Sequence, residues 1–432
     1  MNEQLQLNSE QAQTAAQPAK ENKQKKKEKK PKKKKWMRFR HRVVRNVAFL
    51  ILGPYSFFKY GVRVKRFRKQ GKRSYLVLFN HQTAFDQFFV GMAFRGPIYY
   101  LASEDIFSKG FVSSLLRYLV APIPIKKQTT DVKAIMNCLR VSREGGTIAI
   151  APEGNRTYSG KTTAMLTSIA PLARKMGKPI ALYRLEGGYG VHPRWSDVVR
   201  RGKMRGYVSR VIEPEEYATM TDAELFALIE KELYVNEAVA DAKFRHKKSA
   251  EYLERAMYVC PDCGLSRFHS RHDRTTCLRC GLQLRYLPTK ELEGTNKPFP
   301  FRFLADWYDY QTDFIRKLDL TPYEEKPLYT EEARYSHVIP YKKKEELAKN
   351  ATILLYGNRI EVFDGKKALQ TFAFDEASAV TVLGKNKCNI YLEGEIYQLK
   401  GDKHFNALKF VQIYHHYHNV KKGDPYGGLL GL

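Results

Sequence analysis

The sequence predicts an α/β fold, with a mainly parallel sheet and flanking helices, through its first half. Short apolar runs rich in β-branched and aromatic residues alternate there with segments whose apolar residues follow helical spacing. Such alternation is typical of a parallel sheet covered by helices. The predicted strands are YLVLF at 75–79, IYYL at 98–101, PIPI at 122–125, TIAIA at 147–151 and IALYRL at 180–185, with helices at 131–142 and 166–176, a further strand at 207–212 and a polar helix at 222–246.

The net charge and the cysteines limit the class of protein. A formal net charge of +30 indicates anionic partners, and both nucleic acid and anionic lipid headgroups fit that requirement. Four of the six cysteines form two CxxC pairs, which indicates a metal site in a reducing compartment rather than a disulfide scaffold. The first forty residues hold no apolar run of the kind found in signal peptides, so we expect the folded part to stay in the cytoplasm.

The N-terminal seventy residues combine a basic arm with an apolar segment. Residues 1–35 are polar and contain eleven lysines between Lys20 and Lys35, so we expect this arm to be disordered. The thirteen residues 46–58 carry no charge, contain Pro54 and are shorter than the roughly 20 residues that span a bilayer. Because basic residues flank this run, we predict that residues 36–70 form an amphipathic helical hairpin on an anionic membrane surface. A buried core helix is the alternative.

A histidine and an aspartate follow the first predicted strand in the motif NHQTAFDQ. His81 and Asp86 are five positions apart, and five positions rotate a helix by about 500°, so the two would not share a helix face. His81 is therefore predicted in the loop and Asp86 in the first turns of the next helix. There Asp86 can accept from one imidazole nitrogen, while the other nitrogen takes a proton from a hydroxyl. Unrelated surface residues are the alternative for this motif taken alone.

A second loop, PEGNRT, follows the predicted strand at 147–151. Gly154 lets the backbone approach a ligand closely, and Arg156 offers a planar set of donors that suits a phosphate group. This loop and the one with His81 both follow carboxyl ends of predicted strands, where open α/β sheets bind ligands. Taken alone, PEGNR is also compatible with an ordinary turn.

The order of these motifs along the chain resembles a known enzyme family. The motif NHxxxxD, a basic pair after PIPI, the motif PEGNRT and a strand that opens with Pro179 resemble the four sequence blocks of PlsC-like 1-acylglycerol-3-phosphate acyltransferases, over about residues 74–186. The resemblance implies that His81 is the general base and that Asp86 orients it. It also implies that the substrate is bound by Lys126, Lys127, Glu153, Gly154 and Arg156.

The resemblance implies an O-acyltransferase of phospholipid biosynthesis. Its reaction would move an acyl group from acyl-CoA or acyl carrier protein to the sn-2 hydroxyl of the lysophospholipid 1-acylglycerol-3-phosphate, which gives phosphatidic acid. The lipid acceptor and the basic segments predict a peripheral, monotopic position at the cytoplasmic face of the cell membrane. Lys127 stands where the family usually has arginine and loses the bidentate guanidinium, so another lysophospholipid or lipid acceptor is the alternative.

Four cysteines in the second half predict a structural metal site. They form CPDC, thirteen residues, then CLRC, a spacing that suits tetrahedral zinc in a zinc ribbon with no open coordination position. A zinc-ribbon protein that binds nucleic acid would also explain the charge and the cysteines. It leaves the apolar segment and the four ordered motifs unexplained, so no nucleic-acid partner is expected. The predicted zinc ligands are Cys260, Cys263, Cys277 and Cys280.

The C-terminal part predicts short strands separated by turns and followed by a helix at 404–418. This pattern resembles a pleckstrin-homology-like or GRAM-like barrel. The whole chain is thereby divided into six segments. In order they are a disordered arm (1–35), a membrane-association segment (36–70), an acyltransferase domain (71–246), a zinc ribbon (247–290), a linker with a helix (291–350) and a small β-rich, pleckstrin-homology-like domain (351–432).

Overall fold

A sheet flanked by helices occupies the first half of the chain. The computed structural model describes residues 35–107, 110–125, 131–339, 342, 344–424 and 426–430, so the predicted basic arm lies outside the described residues except for its last position. The elements of this half are α1 (Phe39–Tyr60), β1 (Val62–Val64), β2 (Leu76–Phe79), α2 (Asp86–Ala93), β3 (Ile98–Ser103), α3 (Phe111–Val120), β4 (Ile123–Ile125), α4 (Val132–Arg143), β5 (Thr147–Ile150), α5 (Ile169–Met176), β6 (Ile180–Glu186), α6 (Gly188–Val191), β7 (Met204–Ile212), α7 (Pro214–Ala218) and α8 (Asp222–Leu233).

The seven strands of this sheet lie in the order β1-β7-β6-β2-β5-β3-β4. Neighbouring strands are parallel except β6 and β7, which pair antiparallel. The prediction of a mainly parallel sheet with flanking helices is thus confirmed. The central strands β2 and β5 are buried along their whole length, because α4, α5 and α8 pack on one face of the sheet and α1 and α2 on the other.

The apolar N-terminal segment forms one continuous helix, α1, and the prediction of a helical hairpin is wrong. Pro54 lies inside this helix of 22 residues, where it removes one backbone donor. The helix continues past Pro54 because its last turn is packed, with the ring of Tyr60 5.1 Å from that of Phe85 and 5.6 Å from that of Phe89. In the described part of the chain, no helix is long and apolar enough to cross a membrane.

Antiparallel sheets dominate the second half. Their elements are β8 (Val259–Cys260), β9 (Gly264–Leu265), β10 (Phe268–Arg271), β11 (Arg274–Cys277), β12 (Gln283–Tyr286), β13 (Leu292–Gly294), α9 (Leu304–Arg316), β14 (Tyr329–His337), β15 (Glu345–Leu355), β16 (Arg359–Asp364), β17 (Lys367–Ala373), β18 (Ala377–Leu383), β19 (Lys387–Leu392), β20 (Glu395–Lys400) and α10 (Leu408–Lys422). β8 pairs with β9, and β10 to β13 form a meander. The C-terminal sheet has the order β17-β16-β15-β14-β20-β19-β18, so it begins with β14, before the expected boundary at 351.

One hydrophobic core joins these antiparallel pieces to a loop of the first sheet. Buried residues of the cysteine-containing strands, of α9 and of the C-terminal sheet belong to the same cluster as Tyr158, which follows the PEGNR motif. Trp307 on α9 donates from its indole nitrogen to the carbonyl oxygen of Val259 over 2.8 Å. Residues 36–432 accordingly form one compact unit.

Candidate active site

The loops that carry the two sequence motifs meet at one edge of the first sheet. Strand β2 lies between β5 and β6, and all three run parallel. The loop with His81 follows β2, the PEGNR loop follows β5, and a loop at 187–203 follows β6. Because the carboxyl ends of parallel neighbours lie at the same edge of a sheet, these three loops form one site.

His81 and Asp86 form a hydrogen-bonded pair. Nδ1 of His81 lies 2.7 Å from Oδ2 of Asp86, with His81 in the loop and Asp86 at the start of α2, as the spacing predicts. Asp86 is fully buried. Its carboxylate also accepts from the backbone N–H of Gln82 at 2.7 Å and from the hydroxyl of Thr83 at 2.6 Å. These bonds fix the orientation of the carboxylate, and the carboxylate in turn orients the imidazole.

Glu153 connects two of the loops from a buried position. Its Oε1 accepts from the backbone N–H of His81 at 2.7 Å, and its Oε2 accepts from the backbone N–H and the hydroxyl of Thr163 at 3.0 and 3.1 Å. The residue is 1% exposed, and this burial raises the pKa of Glu153 to about 7. Glu153 therefore holds the His81 loop and the PEGNR loop together, whereas its neighbour Gly154 is exposed.

Arg156 lies near the histidine–aspartate pair and is half-buried. Burial, together with the charge of Arg194, lowers the pKa of Arg156 to about 10, although the charge of Asp86 acts in the opposite direction. Among the described residues, the buried Nη1 atom of Arg156 has no hydrogen-bond partner. A guanidinium with an unused donor at this edge of the sheet suits a phosphate-bearing substrate.

Sequence reasoning missed residues that the fold brings to the same place. His192 and Arg194 lie on the loop after β6, and Arg194 donates from Nη1 to the carbonyl oxygen of Arg156 over 2.9 Å. The ring of His192 lies 5.9 Å from that of Tyr60, at the end of α1. The signal in the sequence is the motif HPRW at 192–195, which has meaning only once β6 is known to lie beside β2.

The basic pair of the second motif, Lys126 and Lys127, lies outside the described residues. Strand β4 ends at Ile125, immediately before this pair, and it is the edge strand beyond β3. The contribution of the two lysines to substrate binding stays a prediction that rests on the resemblance.

Four thiols of the second half come together as one donor set. The sulfur atoms of Cys260 and Cys280 lie 3.6 Å apart, and those of Cys263 and Cys277 also lie 3.6 Å apart. Thiolates that bind one tetrahedral zinc at about 2.3 Å lie about 3.8 Å apart, so the donor set fits that metal. A glycine in the left-handed region, with φ of 76° at Gly264 and 75° at Gly281, follows each CxxC pair and turns the backbone there. The sulfur atoms that all lie within 4.8 Å of one another are those of Cys260, Cys263, Cys277 and Cys280.

Comparison with known proteins assigns a family to the region that carries most of the site. Residues 61–183 match the family model described as Acyltransferase, so this stretch forms an acyltransferase domain and the resemblance predicted from the sequence is confirmed. The chain also resembles the solved 1-acyl-sn-glycerophosphate (LPA) acyltransferase PlsC from Thermotoga maritima, with 22% identity and a TM-score of 0.38, over 45% of this chain and 80% of that one. The search of curated proteins found no match.

Proposed function

We propose that the protein transfers an acyl group from a thioester donor, either acyl-CoA or acyl carrier protein, to the sn-2 hydroxyl of 1-acylglycerol-3-phosphate and so forms phosphatidic acid. The observation that supports this proposal most is the 2.7 Å hydrogen bond between His81 and Asp86 inside an acyltransferase domain. The guanidinium of Arg156 near this pair supports an acceptor that carries a phosphate group.

In the proposed reaction, Nε2 of His81 takes the proton of the acceptor's hydroxyl as that oxygen attacks the thioester carbonyl. Asp86 holds the proton on Nδ1 and stabilises the imidazolium cation. The carbon–sulfur bond then breaks, and the donor's thiolate leaves with the proton that His81 returns. No covalent acyl-enzyme is needed. Glu153 positions the His81 backbone, and the phosphate is bound by Gly154 and Arg156 together with Lys126 and Lys127.

We also propose that α1 and α3 lie against an anionic membrane at its cytoplasmic face. The two helices are neighbours, since Arg40 donates from Nε to the carbonyl oxygen of Tyr118 over 2.8 Å and lies 3.9 Å above its ring. Large apolar side chains on both are exposed, including Leu50 at 78% and Phe111 at 79%. An exposed apolar face with basic residues beside it suits the boundary between headgroups and acyl chains, where a lysophospholipid resides.

Two further assignments concern the second half of the chain. We propose that the four clustered thiolates hold a structural zinc, which would link the short β8–β9 sheet to the β10–β13 meander by four metal–sulfur bonds. We also propose that the C-terminal domain is pleckstrin-homology-like. Two antiparallel meanders, β14 to β17 and β18 to β20, followed by the helix α10, support this assignment.

The function is tested by supplying the purified protein with a panel of lysophospholipids and both classes of donor, and by identifying the products by mass spectrometry. We expect the highest kcat/KM with 1-acylglycerol-3-phosphate. A higher value with a lysophospholipid whose phosphate is a diester would favour the other acceptor class that Lys127 suggests. Failure to acylate any lipid hydroxyl with either donor would overturn the proposal.

A further inference from the structure

Buried nitrogen atoms without hydrogen-bond partners lie at the edge of the site, most of them on the loop after β6. His192 is 6% exposed and Arg194 is 3% exposed. Within the described ranges, both ring nitrogens of His192 and the Nε atom of Arg194 are buried without a hydrogen-bond partner, as is Nη1 of Arg156. Buried polar atoms in proteins are nearly always hydrogen-bonded, either to protein or to ordered water, so these four atoms on three neighbouring side chains are available to a polar ligand.

The charges at this place point to an anion. Arg156 and Arg194 are close enough for the charge of one to lower the pKa of the other. Neither guanidinium has an ion pair with a carboxylate in the part of the chain that the structure describes. The charge of Asp86 only partly offsets this repulsion. Two neighbouring guanidinium groups without an ion pair are costly, and an anion bound by both lowers that cost.

A fourth basic residue reaches this place from the C-terminal sheet. Lys385 lies on the turn between β18 and β19, and its Nζ contacts Oδ1 of Asp197 at 2.8 Å. Burial, and then the charge of Lys385, lowers the pKa of His192 to about 3. His192 is therefore a neutral imidazole that can donate from one nitrogen to an oxygen atom of a ligand.

We propose that His192 and Arg194 complete a phosphate-binding pocket with Arg156, with Lys385 at its rim. Arg194 aligns with Arg156 because it already donates to the carbonyl oxygen of that residue. His192, Arg194 and Lys385 all lie beyond residues 61–183, so the pocket extends past the segment that matches the family model. The inference rests on the proposed function and assigns the phosphate to the acceptor. The phosphate of a CoA donor has the same chemistry, and the experiment separates the two.

The test uses full-length protein with His192→Phe and Arg194→Gln. Phenylalanine keeps an aromatic ring beside Tyr60 and removes both nitrogens, whereas glutamine keeps an amide donor for the carbonyl oxygen of Arg156 and removes the charge. Arg201→Gln is the matched control, because Arg201 is an exposed arginine on the same loop. The first readout is binding of inorganic phosphate, as a rise in Tm against chloride at equal ionic strength.

Phosphate raises the Tm of any protein slightly because it is excluded from the surface, so the pocket variants set the baseline. We expect the Tm of the wild type and of Arg201→Gln to rise by roughly 2 °C or more beyond that baseline at saturation. In the transfer assay, each pocket variant should raise KM for 1-acylglycerol-3-phosphate by about 10- to 100-fold, because charged hydrogen bonds to the phosphate are lost. KM for 1-acylglycerol, which lacks the phosphate, should not change. A rise confined to KM for the acyl donor, with KM for 1-acylglycerol-3-phosphate unchanged, would assign the pocket to the donor's phosphate instead.

The inference would be overturned if the pocket variants lost activity equally with the phosphorylated and unphosphorylated acceptors and if phosphate raised their Tm as much as it raises that of the wild type. His192 and Arg194 would then only support the fold. The proposed function would survive that result. If instead the wild type acylated no lysophospholipid, the proposed function would fail, and the phosphate titration alone would still decide whether the pocket exists.

Discussion

The bond between Nδ1 of His81 and the carboxylate of Asp86 leads to the first prediction at the scale of single residues. His81→Ala should lower kcat by about 10²- to 10⁴-fold while the protein stays folded, because in the proposed reaction the side chain acts only on the reacting hydroxyl. Asp86→Asn should also be damaging, since an amide favours the wrong imidazole tautomer. Steady-state acyl transfer by purified variants, with circular dichroism as a check of folding, measures both effects.

The control for this experiment is His269→Ala, which removes an exposed imidazole from β10, outside the site. It should leave kcat close to that of the wild type. A His81→Ala protein that kept more than about a tenth of wild-type kcat would contradict the role of general base.

Glu153 gives a prediction about pH and stability. Burial raises its pKa from an ordinary value of 4.5 to about 7 in the folded protein. The folded state binds this proton more tightly than the unfolded chain, so the stabilising contribution is fully present below about pH 4.5 and is lost as pH rises through 7. Relative to Glu153→Gln, the wild-type free energy of unfolding should fall by at most roughly 3 kcal/mol between pH 4.5 and 7.5, as measured by urea denaturation. Parallel pH profiles for the two proteins would contradict this prediction.

At this scale, the sequence predicted the residues whose arrangement is local. His81 and Asp86 are five positions apart, and a strand, a loop and a helix start are enough to bring them together. The bond from Thr163 to Glu153 and the approach of Arg194 to Arg156 depend on which loops are neighbours in space. No spacing along the chain carries that information.

At the scale of elements, the proposed contact of α1 and α3 with a membrane gives a prediction about vesicle binding. Leu50→Asp and Phe111→Asp should each weaken binding to anionic vesicles by about tenfold or more, because an apolar side chain leaves the bilayer boundary and a negative charge approaches anionic headgroups. Sedimentation with phosphatidylserine-containing vesicles measures the loss.

Val420→Asp serves as the control for these two variants, because Val420 is a 60% exposed apolar residue on a different helix, α10. It should bind vesicles as the wild type does. Turnover of acceptor in detergent should be unchanged in all three proteins. Wild-type vesicle binding by both Leu50→Asp and Phe111→Asp would refute the membrane role of α1 and α3.

The error over α1 has a physical cause that lies in packing. A proline inside an apolar run suggests a turn, because it removes a backbone donor and crowds the preceding turn of the helix. In the folded protein, the contacts of Tyr60 with Phe85 and Phe89 stabilise the turn that follows Pro54. Phe85 and Phe89 lie far from Pro54 and Tyr60 in the sequence, so their contact with Tyr60 could not be anticipated.

At the scale of the whole molecule, the common core links the proposed metal site to the proposed acyl transfer. Cys277→Ser, or removal of metal by a chelator, should unfold the cysteine-containing strands, because metal binding supplies much of the folding energy of such modules. Tyr158 packs in the same core and stacks on Tyr308 of α9, with ring centroids 6.4 Å apart. The PEGNR loop should therefore lose its support, and acyl transfer should fall together with bound zinc.

Plasma mass spectrometry for zinc, circular dichroism and the transfer assay on the same samples check this prediction. Cys388→Ser is the control, because Cys388 is a buried cysteine outside the four-thiol cluster. It should keep about one zinc per chain and its activity. Full activity in a Cys277→Ser protein that holds no zinc would show that the PEGNR loop does not depend on the metal site for its support.

The sequence predicted the kind of sheet in each half but not how the halves join. The alternation of strands with helices and the spacing of the cysteines can both be recognised in the sequence alone, without knowing which segments are neighbours in space. The contact of Trp307 with Val259, and the position of Tyr158 in a core shared with the C-terminal sheet, involve side chains far apart in the sequence. Ordinary apolar and aromatic residues make these contacts, and no motif marks them.

The bridge that Glu153 makes has a consequence for the engineering of new acceptor preferences. Two of its three donors are main-chain amides, at positions 81 and 163, and every residue type except proline supplies such an amide. The bridge between the two loops thus tolerates substitution of nearly all side chains around it, provided that Glu153 itself is retained. A mutagenesis library that keeps Glu153 and His81 fixed, and excludes proline at 163, can randomise positions 192 and 194 while the hydrogen bonds of Glu153 still join the His81 loop to the PEGNR loop.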